Sequence, residues 1–242
     1  MNAELLSLYT ADRQERVHQP AANTPGYKAM RARDLARRTR VMEIAAAGEL
    51  PAAEDYYHAA WIMNHGDTPD DARHAHQLAL RSSELGHRPA RWLAAASYDR
   101  GQMYQGRPQK YGTNYFFDGR GDRLWEVDPA TTDEERAAWD VPSLAEQLRK
   151  AEEANRHQVP LSAVKLREFE ANAPGWCREA IRRGRARGDS PGKGGVTITP
   201  AVGPGQTQVV AAWRPQANSP SSQNTTPAAL GAQKITGKPV AL

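Results

Sequence analysis

Apolar and polar positions along the chain fall into a run of helical periods separated by short breaks. Leu5, Leu8 and Tyr9 share one side of a segment from Glu4 to Val17, with Asp12, Arg13, Glu15 and Arg16 on the other side. Gln19-Pro20 and Pro25-Gly26 break the pattern, and a second helix is predicted from Tyr27 to Ala47, stopped by Gly48. Its apolar residues Met30, Leu35, Val41, Met42 and Ile44 alternate with Arg31, Arg33, Arg37, Arg38 and Arg40. Those arginines read as a solvated face partly neutralised by neighbouring acids, the other reading being a phosphate-facing stripe. A third helix from Ala53 to Asn64 carries Tyr56, Tyr57, Ala60, Trp61 and Met63 and is apolar enough to be central.

The chain then turns at His65-Gly66-Asp67, and Thr68-Pro69-Asp70-Asp71 opens a fourth helix that Gly86 stops. A hydroxyl N-cap, a proline at the first helical position and two acids facing the positive dipole end all favour a start there. A fifth helix runs from Pro89 through Trp92, Leu93, Ala96 and Tyr98 to Met103. The stretch from Tyr104 to Asp122 is rich in Gly, Pro, Asn and Asp and reads as an ordered functional loop, with a short extended piece at Leu124-Trp125-Glu126-Val127. Thr132-Asp133-Glu134-Glu135 and Ser143-Leu144-Ala145-Glu146 are capping-box starts. The second leads a charged helix to Arg156, and two further short helices are predicted over Ser162–Ala171 and Pro174–Arg185. The fold class is therefore all-α, a single multi-helix bundle with an ordered polar loop and a low-complexity tail. It divides into a helical domain (1–157), a helical extension (158–187) and a disordered or docking tail (188–242).

Composition sharpens this division. Of 242 residues, 39% are hydrophobic and 7% aromatic, and the mean hydropathy is −0.74. The apolar residues concentrate before Leu148, so a core of ordinary size is available only there. Ser190-Pro191-Gly192-Lys193-Gly194-Gly195 and Ser219-Pro220-Ser221-Ser222 have linker composition, and Val209–Trp213 is one of two apolar islands in the tail. The net charge of +4 is a small excess of Lys and Arg over a nearly equal number of acids. Even with Arg178, Arg182, Arg183, Arg185 and Arg187 leading into the tail, it argues against a nucleic-acid binder. One cysteine, Cys177, excludes an internal disulfide and a cysteine-based zinc site, and it reads as a packing or exposed thiol. No stretch approaches the roughly 20 apolar residues of a membrane span, and no signal-peptide pattern opens the chain, so a cytoplasmic location is expected.

Candidate chemistry collects at helix ends. His65 and Asp67 flank a single glycine, where both side chains can reach one space. A carboxylate beside an imidazole fixes its tautomer and raises its basicity, as a general base requires. The structural alternative makes His65 a cap of one helix and Asp67 a cap of the next. The spacing from His65 through Asp67 to His74 matches no zinc or iron pattern, so no metal is assigned, and the sequence names no cofactor. Asp99-Arg100 forms a second constellation with Tyr111-Gly112-Thr113: either the pair locks the following loop, or Arg100 presents its fork to an anionic ligand.

Asn64-His65-Gly66-Asp67, Asp99-Arg100 and Tyr111-Gly112-Thr113-Asn114 together resemble a bacterial family of helical domains of unknown function. Its members carry Gln-His-Ala-Asp, Asp-Arg and Tyr-Gly-Thr-Gln in this order. The likeness spans residues 12–150, and here Asn64 and Asn114 stand in place of the family's glutamines. The resemblance implies a site at these residues without implying a reaction. On these readings His65 and Asp67 would be catalytic, and Asn64, Asp99, Arg100, Tyr111, Thr113 and Asn114 would bind a small polar or anionic substrate. The alternative is a non-catalytic interaction module whose tail, through Val209–Trp213, docks a protein partner.

Overall fold

A computed structural model describes residues 1–20, 24–156 and 158–186. The predicted tail, 188–242, and Arg187 lie outside the described residues. Nine helices and one two-stranded antiparallel sheet are present among them, so the chain is all-α in class. In order they are α1 (Ala3–Val17), α2 (Pro25–Ala46), α3 (Ala53–Met63), α4 (Pro69–Glu84), α5 (Pro89–Tyr104), β1 (Tyr115–Phe117), β2 (Asp122–Leu124), α6 (Asp133–Ala138), α7 (Leu144–Asn155), α8 (Ala163–Asn172) and α9 (Gly175–Ala186).

Helix starts follow local chemistry. Thr68, Thr132 and Ser143 accept from the backbone amides three residues on, while Asp71, Glu135 and Glu146 reach back to the cap amides. Each box satisfies two otherwise orphaned donors and contributes about 1 kcal/mol. The Asp67 side chain takes no part in the cap of α4; only its backbone amide does, donating to Asp71. The strands are displaced from the predicted extended piece: β1 and β2 pair Tyr115 with Leu124 and Phe117 with Asp122. Trp125, expected in a strand, instead packs its ring in the core and donates its indole N–H to the Arg107 carbonyl at 2.7 Å.

Packing proceeds from small residues. Ala60, Ala79 and Ala94 let α3, α4 and α5 approach closely around Trp61 and Leu93. On the other side of α3, Ile62 and Met63 join Leu5 of α1, Val41 and Ile44 of α2, and Ala75 of α4. A third cluster unites Met103 at the end of α5 with Phe116, Phe117 and Trp125 of the hairpin region, with Phe169 of α8 and its C-cap Ala173, and with Cys177 and Ile181 of α9. The segment read as an extension thus shares a core with the hairpin. Burial pushes the Cys177 thiol up to about 12, which makes it an inert packing group at neutral pH.

Among the described residues no helix is long and apolar enough to cross a membrane.

Candidate functional site

The C-terminal end of α3 lies among four other helices, and the chain has put charge where an apolar stripe would ordinarily continue. On α1, Asp12 stands two turns beyond Leu5 and is buried; on α2, Asp34 stands one turn beyond Met30 and is equally buried. Buried carboxylates require partners, and the arginines of α1 and α2 supply them. Arg16 lies 2.7 Å from Asp34 and 3.5 Å from Asp12. Arg37 lies 3.2 Å from Asp34, 3.7 Å from Asp12 and 2.9 Å from Glu15. Arg31 lies 2.6 Å from Asp34 and also pairs with Asp67. The arginine stripe of α2 therefore does not form one solvated face. Arg33 and Arg40 are outside and pair with Glu15, Glu4 and Glu43, whereas Arg37 and Arg38 are buried and Arg31 is half-buried.

His65 sits at the centre of this network, 7% exposed. The carboxylate against its ring is that of Asp12, with Nδ1 2.8 Å from Oδ2, and Trp61 donates its indole N–H to the same oxygen at 3.2 Å. Asp67, the expected partner, is 68% exposed and engages Arg31 instead. The His65–Asp12 contact is short but off the line of a well-aligned hydrogen bond. No partner for Nε2 exists among the described residues. The end of α3 is secured through its carbonyls: His65 O accepts from Arg31 at 3.0 Å and from Arg38 at 3.5 Å, and Gly66 O accepts from the Tyr104 hydroxyl at 2.9 Å. Cations there also meet the negative end of the helix dipole.

Burial lowers the His65 pKa below the ordinary imidazole value; Asp12 opposes this, and Arg16 and Arg100 add to it. For Asp12, burial acts upward but is outweighed by His65, Arg16 and Arg37, which hold the carboxyl below its usual range. With the imidazole neutral near pH 7, the charges keeping Asp12 ionised are those of the two arginines. An ionised Asp12 favours the proton on Nδ1 and leaves the Nε2 lone pair available.

Arg100 differs from the other arginines at this end of the bundle. It is 7% exposed, yet no carboxylate lies within 4.0 Å of it among the described residues. Its one hydrogen bond is a long one, 3.4 Å, to the Tyr104 hydroxyl, and its Nε is buried with no acceptor.

Asp99, the neighbour of Arg100, turns the other way. Its carboxylate is fully buried and accepts from the amides of Lys110 (2.8 Å), Tyr111 (3.0 Å) and Thr113 (3.1 Å) and from the Thr113 hydroxyl (2.8 Å). Burial raises the Asp99 pKa while these donors oppose it. Asn114 donates to the Ala96 carbonyl at 3.0 Å and is framed by Gln109, which bonds its N–H and its carbonyl. Thr113 and Asn114 thus lock the loop onto α5. Tyr111 lies between Tyr98 and Trp139 at ring distances of 6.2 Å, with Lys110 over its face, and its backbone is held by Asp99 and Arg136.

The predicted residues therefore separate into two groups. Asn64, His65, Asp67 and Arg100 lie around the end of α3; Asp99, Tyr111, Thr113 and Asn114 form the clip of the loop. Asp12, Arg16, Asp34, Arg38 and Tyr104 belong to the first group and are not among the residues that the sequence marks as a site. The signal available for the acids was their place in the helical period, at positions where Leu5 and Met30 predict a buried side chain. Among the described residues no cluster of three or more His, Cys, Asp and Glu side chains is arranged to hold a metal ion. Comparison of the chain with protein-family models, with curated proteins and with solved structures gave no match in any of the three.

Proposed function

We propose that the protein is an enzyme acting on a small anionic substrate, with Arg100 holding the anion and His65 moving a proton through Nε2. One observation carries this reading: Arg100 is a buried guanidinium with no carboxylate partner among the described residues, beside a histidine whose Nε2 is unengaged. A buried cation without a counter-charge is costly, and a ligand oxyanion relieves that cost with charge-assisted hydrogen bonds. Asp12 takes the orienting role, steadying the Nδ1 proton while Nε2 exchanges one with substrate. Asp67 then acts on Arg31 rather than on the imidazole. The proposed compartment is the cytoplasm, in keeping with a single, buried cysteine.

Binding of inorganic phosphate, followed by calorimetry, tests the anchor. Saturable binding by the full chain is expected, with a loss of at least tenfold in Arg100→Met; equal affinity in the two proteins removes Arg100 from the site. A screen of phosphate monoesters and carboxylates for turnover tests the histidine. His65→Gln should retain phosphate binding and lose turnover, and undiminished turnover would exclude acid–base work by His65.

A non-catalytic interaction module is the second reading. Its support is that Asp99, Thr113 and Asn114 are consumed by bonds within the chain, as a scaffold uses them. In that case removing residues 186–242 abolishes capture of a protein partner, and phosphate binds neither protein.

A further inference from the structure

Asn64, next to His65, has an unmet demand of its own. It is 3% exposed and caps α3 through its backbone N–H, which donates to the Ala60 carbonyl at 2.9 Å. Its side-chain oxygen is buried without a donor, and its amide nitrogen bonds to none of the described residues. Buried amides with no hydrogen bond are rare in folded proteins, because each forfeits its hydration without compensation.

Helical spacing puts this amide toward the end of the α3–α5 seam that carries Arg100. Asn64 lies one turn beyond Ala60, which packs with Leu93 and Ala94 of α5. Arg100 lies two turns beyond Leu93 on α5, and the Tyr104 hydroxyl that it contacts also holds the carbonyl of Gly66. The two unsatisfied groups thus stand at the same end of the α3–α5 seam, and Asn64 directly precedes His65.

Resting on the reading of Arg100 as an anion anchor, we propose that the ligand is an oxyanion with a hydroxyl beside its charged group: a hydroxy acid or a polyol phosphate. The charged oxygens meet the Arg100 fork, and the hydroxyl pairs with the Asn64 amide. A hydroxyl both donates and accepts, so it suits either face of that amide. An ammonium group satisfies the oxygen alone and would add a second cation beside Arg100, which disfavours amino acids.

Two ligand pairs measured by calorimetry on the full chain test this and separate the two sources. They are glycolate against acetate, and glycerol 3-phosphate against propyl phosphate. In the pair that matches the site, the hydroxylated member is expected to bind about tenfold more tightly. Asn64→Leu should reduce that preference to within about twofold, and Asn64→Gln, which keeps an amide, should preserve it. Circular dichroism and the melting curve report whether each variant is folded; if Asn64→Leu fails to fold, the wild-type preference and Asn64→Gln decide alone. Equal affinities within both pairs, with binding still dependent on Arg100, would overturn the hydroxyl and leave the anchor standing. No Arg100-dependent binding of any of the four would overturn the anchor as well.

Discussion

At the scale of single residues, the protein has placed an ionisable ring where protonation is penalised. The folded-state pKa of His65 is lowered by burial, and those of His58 and His76 move the same way for the same first cause. A depressed histidine pKa means that the unfolded chain binds the extra protons first. Stability is then fully present above the unfolded value of about 6.5 and declines as pH falls through the folded values. Urea unfolding at a series of pH values below neutrality should show this decline, and His65→Gln should make it shallower by the share of one histidine. An unchanged slope would mean that His65 is protonated as readily in the fold as in the open chain. His65 and Arg100 were legible in the sequence because they sit at helix ends in turn-like surroundings. Asp12 was not. In the sequence it reads as part of the polar side of its helix with Arg13 and Arg16, since a carboxylate usually belongs there. The helical period that puts it in line with Leu5 carries the contrary signal, and burial beside two arginines is what the period implies.

At the scale of elements, the clip between α5 and the loop that follows it is the strongest local device. Four donors from Lys110, Tyr111 and Thr113 converge on the Asp99 carboxylate. Replacing Asp99 by Ala leaves three amides and a hydroxyl without their acceptor and should destabilise the fold by roughly 3 kcal/mol. Hydrogen exchange provides the local reading: the amides of 110, 111 and 113 should lose protection while those of α3 keep theirs. Retained protection in the loop would show that its order comes from elsewhere. The sequence posed the choice between loop-locking and ligand contact for Asp99-Arg100 as one question, and the two residues answer it in opposite ways. Adjacent residues on a helix point about 100° apart, so one faces the loop and its neighbour faces the end of α3. Helix starts were the most legible elements, because Thr68, Thr132 and Ser143 carry their capping partners three residues away. The hairpin was less so. Its strands are three residues long, too short for a period of two to declare itself.

At the scale of the molecule, α8 and α9 close one side of the core. Phe169 packs edge-on against Phe117 at 5.6 Å between ring centres, and Trp176 meets Trp125 at 5.8 Å. Phe169→Ala should lower the stability measured in urea by about 3–5 kcal/mol. The transition should remain single if the third cluster and the rest of the bundle unfold together; a second, earlier transition would mark α8 and α9 as a separately melting unit. In the sequence this region reads as a helical extension, yet Phe169, Cys177 and Ile181 are spaced to bury one face each of two short helices. Long-range closure of this kind leaves little trace in local pattern, since each helix alone has too few apolar residues to announce its partner.

The turn after α3 carries one more consequence, for which substitutions the chain can accept. A methyl group at position 66 would lie 2.1 Å from the Asp71 Cβ, and the Asp71 carboxylate bonds the amides of Asp67 and Thr68 while facing Arg38 at 3.4 Å. Positions 66 and 71 therefore occupy a single volume between them. An alanine at position 66 requires the Asp71 side chain to move, and with it the bonds that start α4. The glycine is thus what allows the acid that closes the first turn of α4 to fold back over the end of α3.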